Sequence, residues 1–247
     1  MDPLTPLSLA VRSTLSMCLA LIDLKPNRLR ILHNRDEFRH RPSQMAQAIL
    51  YRHHQLIYGM DDQAGGTWLA IRDDACFSFV TNYRAPALYQ PNKRSRGHLP
   101  LAVLSSEDPF AALAQIQTDA HHYNPFNLVV GNRNRIVVFC SAEHQSQTIT
   151  QGILTVTNGG LNSHWPKEQR LLASYQHHGQ TLTKDKAWQM LGERAPAADH
   201  ELPDTGLPLA TERALSPVFI DLPDYGTRCS TFVCMDNSGI YFAEAAY

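Results

Sequence analysis

The sequence predicts an α+β fold of two packed, mainly antiparallel sheets with helices on the outside, and three observations carry that expectation. Apolar runs of strand length come in neighbouring groups rather than singly between helices. Turn signals such as Lys25-Pro26-Asn27 and Asp236-Asn237-Ser238-Gly239 close several of these runs as hairpins. The helical stretches come in pairs between the strand groups, an order that does not suit a parallel βαβ sheet.

Each element has its local reason. CLALIDL (18–24) is a continuous apolar run, and RLRILHN (28–34) alternates polar and apolar, so the two form an opening hairpin. LIYG (56–59), TWLAI (67–71) and CFSFVTNY (76–83) follow as antiparallel strands separated by Gly-Gly and Asp-Asp turns. LPLAVLSS reads as a helix, and a second starts near Ser106 with Glu107, Asp108 and Pro109 in its first turn. FNLVVGN (126–132), RIVVFCSA (135–142) and ILTVTNG (153–159) make the next strand set. WPKEQRLLASYQHH and KDKAWQMLGER are helices, residues 195–208 a loop, and STFVCMDNSGIYFAEA the closing hairpin.

Composition narrows the function. The chain has 247 residues, 43% hydrophobic and 18% charged, enough for a large core without staples. A net charge of −1 supplies no global basic field, so nucleic acid and anionic membrane are not expected partners. No run approaches the roughly 20 apolar residues of a membrane helix. The five cysteines lack CxxC and zinc-ligand spacings, which favours reduced thiols and a cytoplasmic location. Residues 1–16 lack a secretion signal: Asp2 is acidic, LSLAV is short and Arg12 follows it. They are expected to be a disordered extension or a mis-annotated start, with residues 17–247 forming a single domain.

Several residues are candidates for chemistry. Cys18 on an apolar strand is ordinarily a small buried hydrophobe. If Met17 is the first residue translated, its removal leaves a thiol and a free α-amine on one residue, nucleophile and base together. HNRDEFRHRPS (33–43) crowds acids and arginines at the end of a strand. There an arginine paired with an aspartate either remains a solvated ion pair or holds a thiol or carboxylate. Asn82 and Asn158 each end a strand after Val-Thr, as turn formers or as amide donors to an oxyanion. Arg228 either caps the last sheet or binds an acidic group. In AGGTW the glycines allow close backbone approach, and Trp68 is expected in the core. The adjacent histidines at 53–54, 121–122 and 177–178 are expected to send their side chains in different directions and make poor chelates, so no metal is expected.

Taken together, MCLALIDL, NRDEFRHRP, AGGTWLAI, TNYR, SRG (95–97), FNLVVG, TNGGLNSHWPK and YGTRCST resemble the NRDE family, also called the transport and Golgi organisation family. The likeness runs from Met17 to about Glu244, with the signature intact as Asn34-Arg35-Asp36-Glu37. It implies a start at Met17 and an N-terminal-nucleophile (Ntn) hydrolase type of fold, a four-layer αββα sandwich. By similarity to cysteine hydrolases of that superclass, it implies catalytic roles for Cys18, Arg35, Asp36, Asn82 and Asn158. Asn34, Glu37, Tyr83 and Arg228 stand in the same motifs as substrate-binding candidates. The first function implied is hydrolysis of an amide (C–N) bond by the N-terminal cysteine, without a cofactor. The alternative is a non-catalytic protein that binds and traffics haem or another amphipathic metabolite in the same pocket. Either way the expected partner is a small molecule.

Overall fold

Alternating side chains of the first hairpin set the layers. In the computed structural model, which describes residues 17–178 and 181–247, β1 (Met17–Lys25) pairs antiparallel with β2 (Arg28–Phe38). Asn27 turns the chain between them in a left-handed conformation, φ 63°. Ala20, Ile22 and Leu24 point into one core, while Leu19 and Leu21 point into another. Burial on both faces explains why the run is apolar throughout instead of alternating. The expectation for residues 1–16 lies outside the described residues.

The second strand group is β3 (Ser43–Tyr51), β4 (His54–Asp61), β5 (Leu69–Arg72) and β6 (Phe77–Asn82). Two helices follow, α1 (His98–Leu104) and α2 (Pro109–Asp119). Next come β7 (Phe126–Gly131), β8 (Ile136–Cys140), β9 (Gln145–Ile149), β10 (Gly152–Thr157) and β11 (Gly160–Leu161). Then α3 (Pro166–His178), α4 (Lys184–Leu191) and α5 (Leu209–Ala214) precede β12 (Tyr225–Asp236) and β13 (Gly239–Ala246). One sheet has the order β11-β10-β1-β2-β12-β13, the other β3-β4-β5-β6-β7-β8-β9. Every strand pair in both is antiparallel.

Apolar clusters between and outside the sheets hold the layers together. Ala20, Ile22, Ile31, Ile71, Phe79 and Val129 fill the space between the sheets. Leu99, Val103 and Leu113 of the first helix pair cover the outer face of the second sheet, against Val80, Leu128 and Phe139. Leu171, Tyr175 and Met190 of the later pair cover the first sheet, against Leu19, Leu21 and Phe232. The layer order is therefore helix, sheet, sheet, helix, the expected α+β sandwich. Among the described residues no helix is long and apolar enough to cross a membrane.

Local chemistry places the helix ends. Asp108, expected inside the first turn of α2, is instead its N-cap, accepting from Phe110 N at 2.9 Å and Ala111 N at 3.2 Å, with Pro109 at the first position. At the Gly-Gly turn before Trp68, Gly66 lies so close to Gly97 that an added Cβ would sit 2.5 Å from its carbonyl carbon. Close approach is thus the reason for glycine there.

β3, β9 and α5 are among the described elements that depart from the sequence expectation. β3 and β9 are edge strands, and α5 falls immediately after the predicted loop. The edge strands are half-exposed or exposed, so no buried face imposes apolar alternation on SQMAQAILY or QSQTI. α5 has six residues, too few for a helical period to show.

Candidate functional site

Strand register divides the NRDE stretch between two faces. Cys18 pairs with Arg35 and Met17 with Asp36 across β1 and β2. Cys18 shares its face with Ala20 and Ile22, and Arg35 shares its face with Ile31, so both look between the sheets. On the other side of β2, Cys229 of β12 stands opposite Arg35. A row Cys18, Arg35, Cys229 therefore crosses adjacent strands. The Arg35 guanidinium is buried, 4.3 Å from the centre of the Trp68 ring, and its Nη1 donates to Ser43 Oγ at 3.3 Å. Trp68 is in the core, as expected, and also forms the platform under this cation.

Asn34 and Asp36 look the other way, toward the helix layer. The Asn34 amide donates to Leu191 O and Val218 O, both at 2.9 Å, and accepts from Ser230 Oγ at 2.6 Å. It is fully buried, and those three bonds make it a staple between β2, the end of α4 and β12. Asp36 Oδ1 accepts from Thr227 Oγ1 at 2.7 Å, while Oδ2 lies 3.8 Å from Lys167 Nζ. Burial pushes the Asp36 carboxyl up to about 6, against the pull of the Lys167 ammonium and the Thr227 hydroxyl. Burial equally pulls the Lys167 ammonium down, against Asp36.

The two Val-Thr-Asn strand ends meet. Thr81 Oγ1 donates to Thr157 O at 3.1 Å, and Asn127 Nδ2 donates to both Thr81 Oγ1 and Thr157 O. One residue on, Asn158 Nδ2 donates to Asn82 O at 2.9 Å, and Asn158 Oδ1 accepts from Cys18 N at 3.4 Å. Asn158 thus ties the start of β1 to the end of β6 in the opposite sheet. The Asn82 side-chain Nδ2 is buried and has no hydrogen-bond partner among the described residues. It is a donor without an acceptor at the edge of this seam, which is costly unless something accepts from it.

The remaining candidates lie around this centre. Glu37 accepts from Phe38 N at 2.9 Å and lies 3.6 Å from Arg41, whose closer partner is Asp61 at 2.6 Å. Tyr83 is half-buried at the rim beside Gly160, its hydroxyl 3.5 Å from Glu143. Arg228 falls in a β-bulge, where the register shifts between Thr227 and Cys229, and donates to Tyr247 O at 3.2 Å. Cys18, Arg35, Asn82 and Asn158 are brought together by pairing and hydrogen bonds, with the Asp36 carboxylate on the opposite face of β2, whereas Tyr83 and Arg228 stand at the periphery. No group of three or more His, Cys, Asp or Glu that could hold a metal occurs among the described residues.

The thiol itself is held protonated in the chain as it stands. Burial pushes Cys18 up to about 12, Asp36 adds to the rise, and Arg35 pulls against it. Lys167, absent from the candidates above, is a buried cation at this centre, its Nζ 3.8 Å from Asp36 Oδ2. Its signal was present in SHWPK: a lysine in the first turn of a helix, where the dipole disfavours a cation.

Comparison with known proteins agrees with the motif reading. The family model described as Transport and Golgi organisation 2 matches residues 17–247. The bovine Transport and Golgi organization protein 2 homolog is 27% identical over 256 residues, covering 92% of each chain. The human homolog is 27% identical over 258 residues with the same coverage. Among solved structures, the chain is similar to a Caenorhabditis elegans ortholog of N-acylethanolamine-hydrolyzing acid amidase (TM-score 0.47, 11% identity, 92% of this chain and 100% of that one). It is also similar to a mutant conjugated bile acid hydrolase from Clostridium perfringens (TM-score 0.46, 6% identity, 93% of this chain and 92% of that one). With the match spanning the whole described fold, the chain belongs to the Transport and Golgi organisation 2 family.

Proposed function

We propose that this protein hydrolyses an amide (C–N) bond with Cys18 as nucleophile, in the form whose chain begins at Cys18. The observation that carries the reading is the hold on Cys18 N: Asn158 Oδ1 accepts from it at 3.4 Å, while Asn158 Nδ2 is fixed on Asn82 O. An α-amine at that nitrogen is anchored beside its own thiol, and Arg35 faces the thiol from the paired strand.

The chemistry follows from these positions. The neutral α-amine takes the thiol proton, through a water, and the thiolate attacks the amide carbon. Asn82 Nδ2, the donor with no partner among the described residues, stabilises the oxyanion that forms. Collapse expels the amine, which leaves with the proton held on the α-ammonium, and a water then cleaves the thioester. Asn158, with both ends of its amide engaged, positions the nucleophile rather than the oxyanion.

The test is a chain initiated at Met17, with loss of the methionine confirmed by intact mass. It is assayed on a panel of N-acyl amides by mass spectrometry of products. Turnover is expected, and Cys18→Ala is expected to lower it by about 10³-fold or more with the fold intact. A Cys18→Ala protein that keeps full turnover removes this reading.

A further inference from the structure

Lys167 is buried to 1% exposure in the first turn of α3, and its Nζ has no hydrogen-bond partner among the described residues. Asp36 Oδ2, 3.8 Å away, also lacks a hydrogen-bond partner among the described residues. Such a pair is a poor device for stability, because removing both ions from water offsets their attraction. Its place in the register is the informative part. Asp36 stands opposite Met17 across β1 and β2, one register position from Cys18, whose backbone nitrogen is the amine in a chain that begins there.

Two cations then compete for one carboxylate. Asp36 alone would hold the α-amine as an ammonium, since an opposite charge within about 4–6 Å raises an amine's pKa by roughly 1–3 units. An ammonium cannot take the thiol proton. With Lys167 resident, Asp36 is already matched, and the like charge of Nζ disfavours a second cation. The other charged groups leave this balance in place. Arg84, which also faces Lys167, is paired with Glu212 at 2.6 Å. Glu168 accepts from Ser163 Oγ at 2.5 Å and Trp165 N at 2.8 Å. Arg35 and Glu37, either side of Asp36, oppose each other in charge, and the remaining neighbour is the Cys18 thiol.

We infer that Lys167 is a positioning residue of the Cys18 centre: as the resident cation at Asp36, it keeps an α-amine at Cys18 neutral and so able to act as base. The inference deepens the proposed function and rests on its reading of Cys18 as an N-terminal nucleophile.

The experiment uses residues 18–247, which contain every element described above apart from Met17 at the head of β1, with folding checked by circular dichroism. Protein labelled with [13C]cysteine is titrated by NMR, following the Cα and Cβ of Cys18, alongside the pH profile of hydrolysis. Lys167→Met is expected to move the amine midpoint, and the acid limb of kcat/KM with it, upward by about one pH unit or more. Lys167→Arg is expected to stay near the parent, which a purely steric role for lysine would not produce. Asp36→Asn, which leaves Lys167 unopposed, is expected to move the midpoint downward, and it carries the test if Lys167→Met does not fold. A midpoint unchanged in folded Lys167→Met, or in Asp36→Asn, overturns the inference. The titration needs no turnover, so a Lys167-dependent midpoint without hydrolysis upholds the charge relation and removes the hydrolase reading alone.

Discussion

At the scale of single residues, the centre is organised by what each side chain already binds. Asn158 and Asn82 share a sequence pattern but not a situation. The first has both ends of its amide engaged, while the second keeps a buried Nδ2 without a hydrogen-bond partner among the described residues. That difference assigns them different work. Asn82→Ala is expected to lower kcat by about 10²–10³-fold with little change in KM, the signature of a donor used in the transition state. Steady-state kinetics on the chain beginning at Cys18 checks it; a rise in KM at constant kcat would instead make Asn82 a ground-state contact. Val-Thr-Asn offers a turn former or an amide donor at both positions, and only the neighbours of each side chain tell the two asparagines apart.

At the scale of elements, strand alternation splits the Asn34-Arg35-Asp36-Glu37 signature. Its odd-numbered members face the other sheet and its even-numbered members face the helices. As a contiguous motif it invites a single role, yet Asn34 is a structural staple. Asn34→Ala leaves Leu191 O, Val218 O and Ser230 Oγ without their buried partner. The expected loss is about 2–4 kcal/mol in urea unfolding at unchanged m-value. A loss of activity with stability intact would place Asn34 in the substrate site instead. The same scale explains the hidden elements: β3 and β9 have exposed edges and need no apolar face, so composition did not mark them.

At the scale of the whole molecule, the space between the sheets encloses a titratable group. His33 is fully buried beside Phe79, and neither ring nitrogen has a hydrogen-bond partner among the described residues. Burial, with Arg35 adding to it, pulls its pKa down to about 3 from an ordinary 6.5. Between those values the unfolded chain binds a proton that the folded chain refuses. Stability is therefore lost as pH falls below 6.5, with a slope approaching about 1.4 kcal/mol per pH unit from this residue. Asp36 acts in the opposite sense between 3.8 and about 6, where the folded carboxyl holds its proton more tightly. Comparing the parent with His33→Leu isolates the histidine. The variant is expected to gain relative stability steadily from pH 6.5 to pH 4.5 in denaturant melts, and a pH-independent difference would contradict the assignment.

The sequence by itself determined the alternation of strand groups and helix pairs, the main turns, and the motif stretches from which the candidate residues around Cys18 come. These are local or additive properties: periodicity, turn chemistry and motif order are all read along the chain. Only the tertiary structure decided which face of β2 each signature residue occupies, that the two Val-Thr-Asn ends touch, and that Lys167 lies against Asp36. The reason is physical. Lys167 and Asp36 stand far apart in the chain, and the cost of burying them, with the balance of charge at Cys18 that follows, exists only once two strands and a helix end close around them.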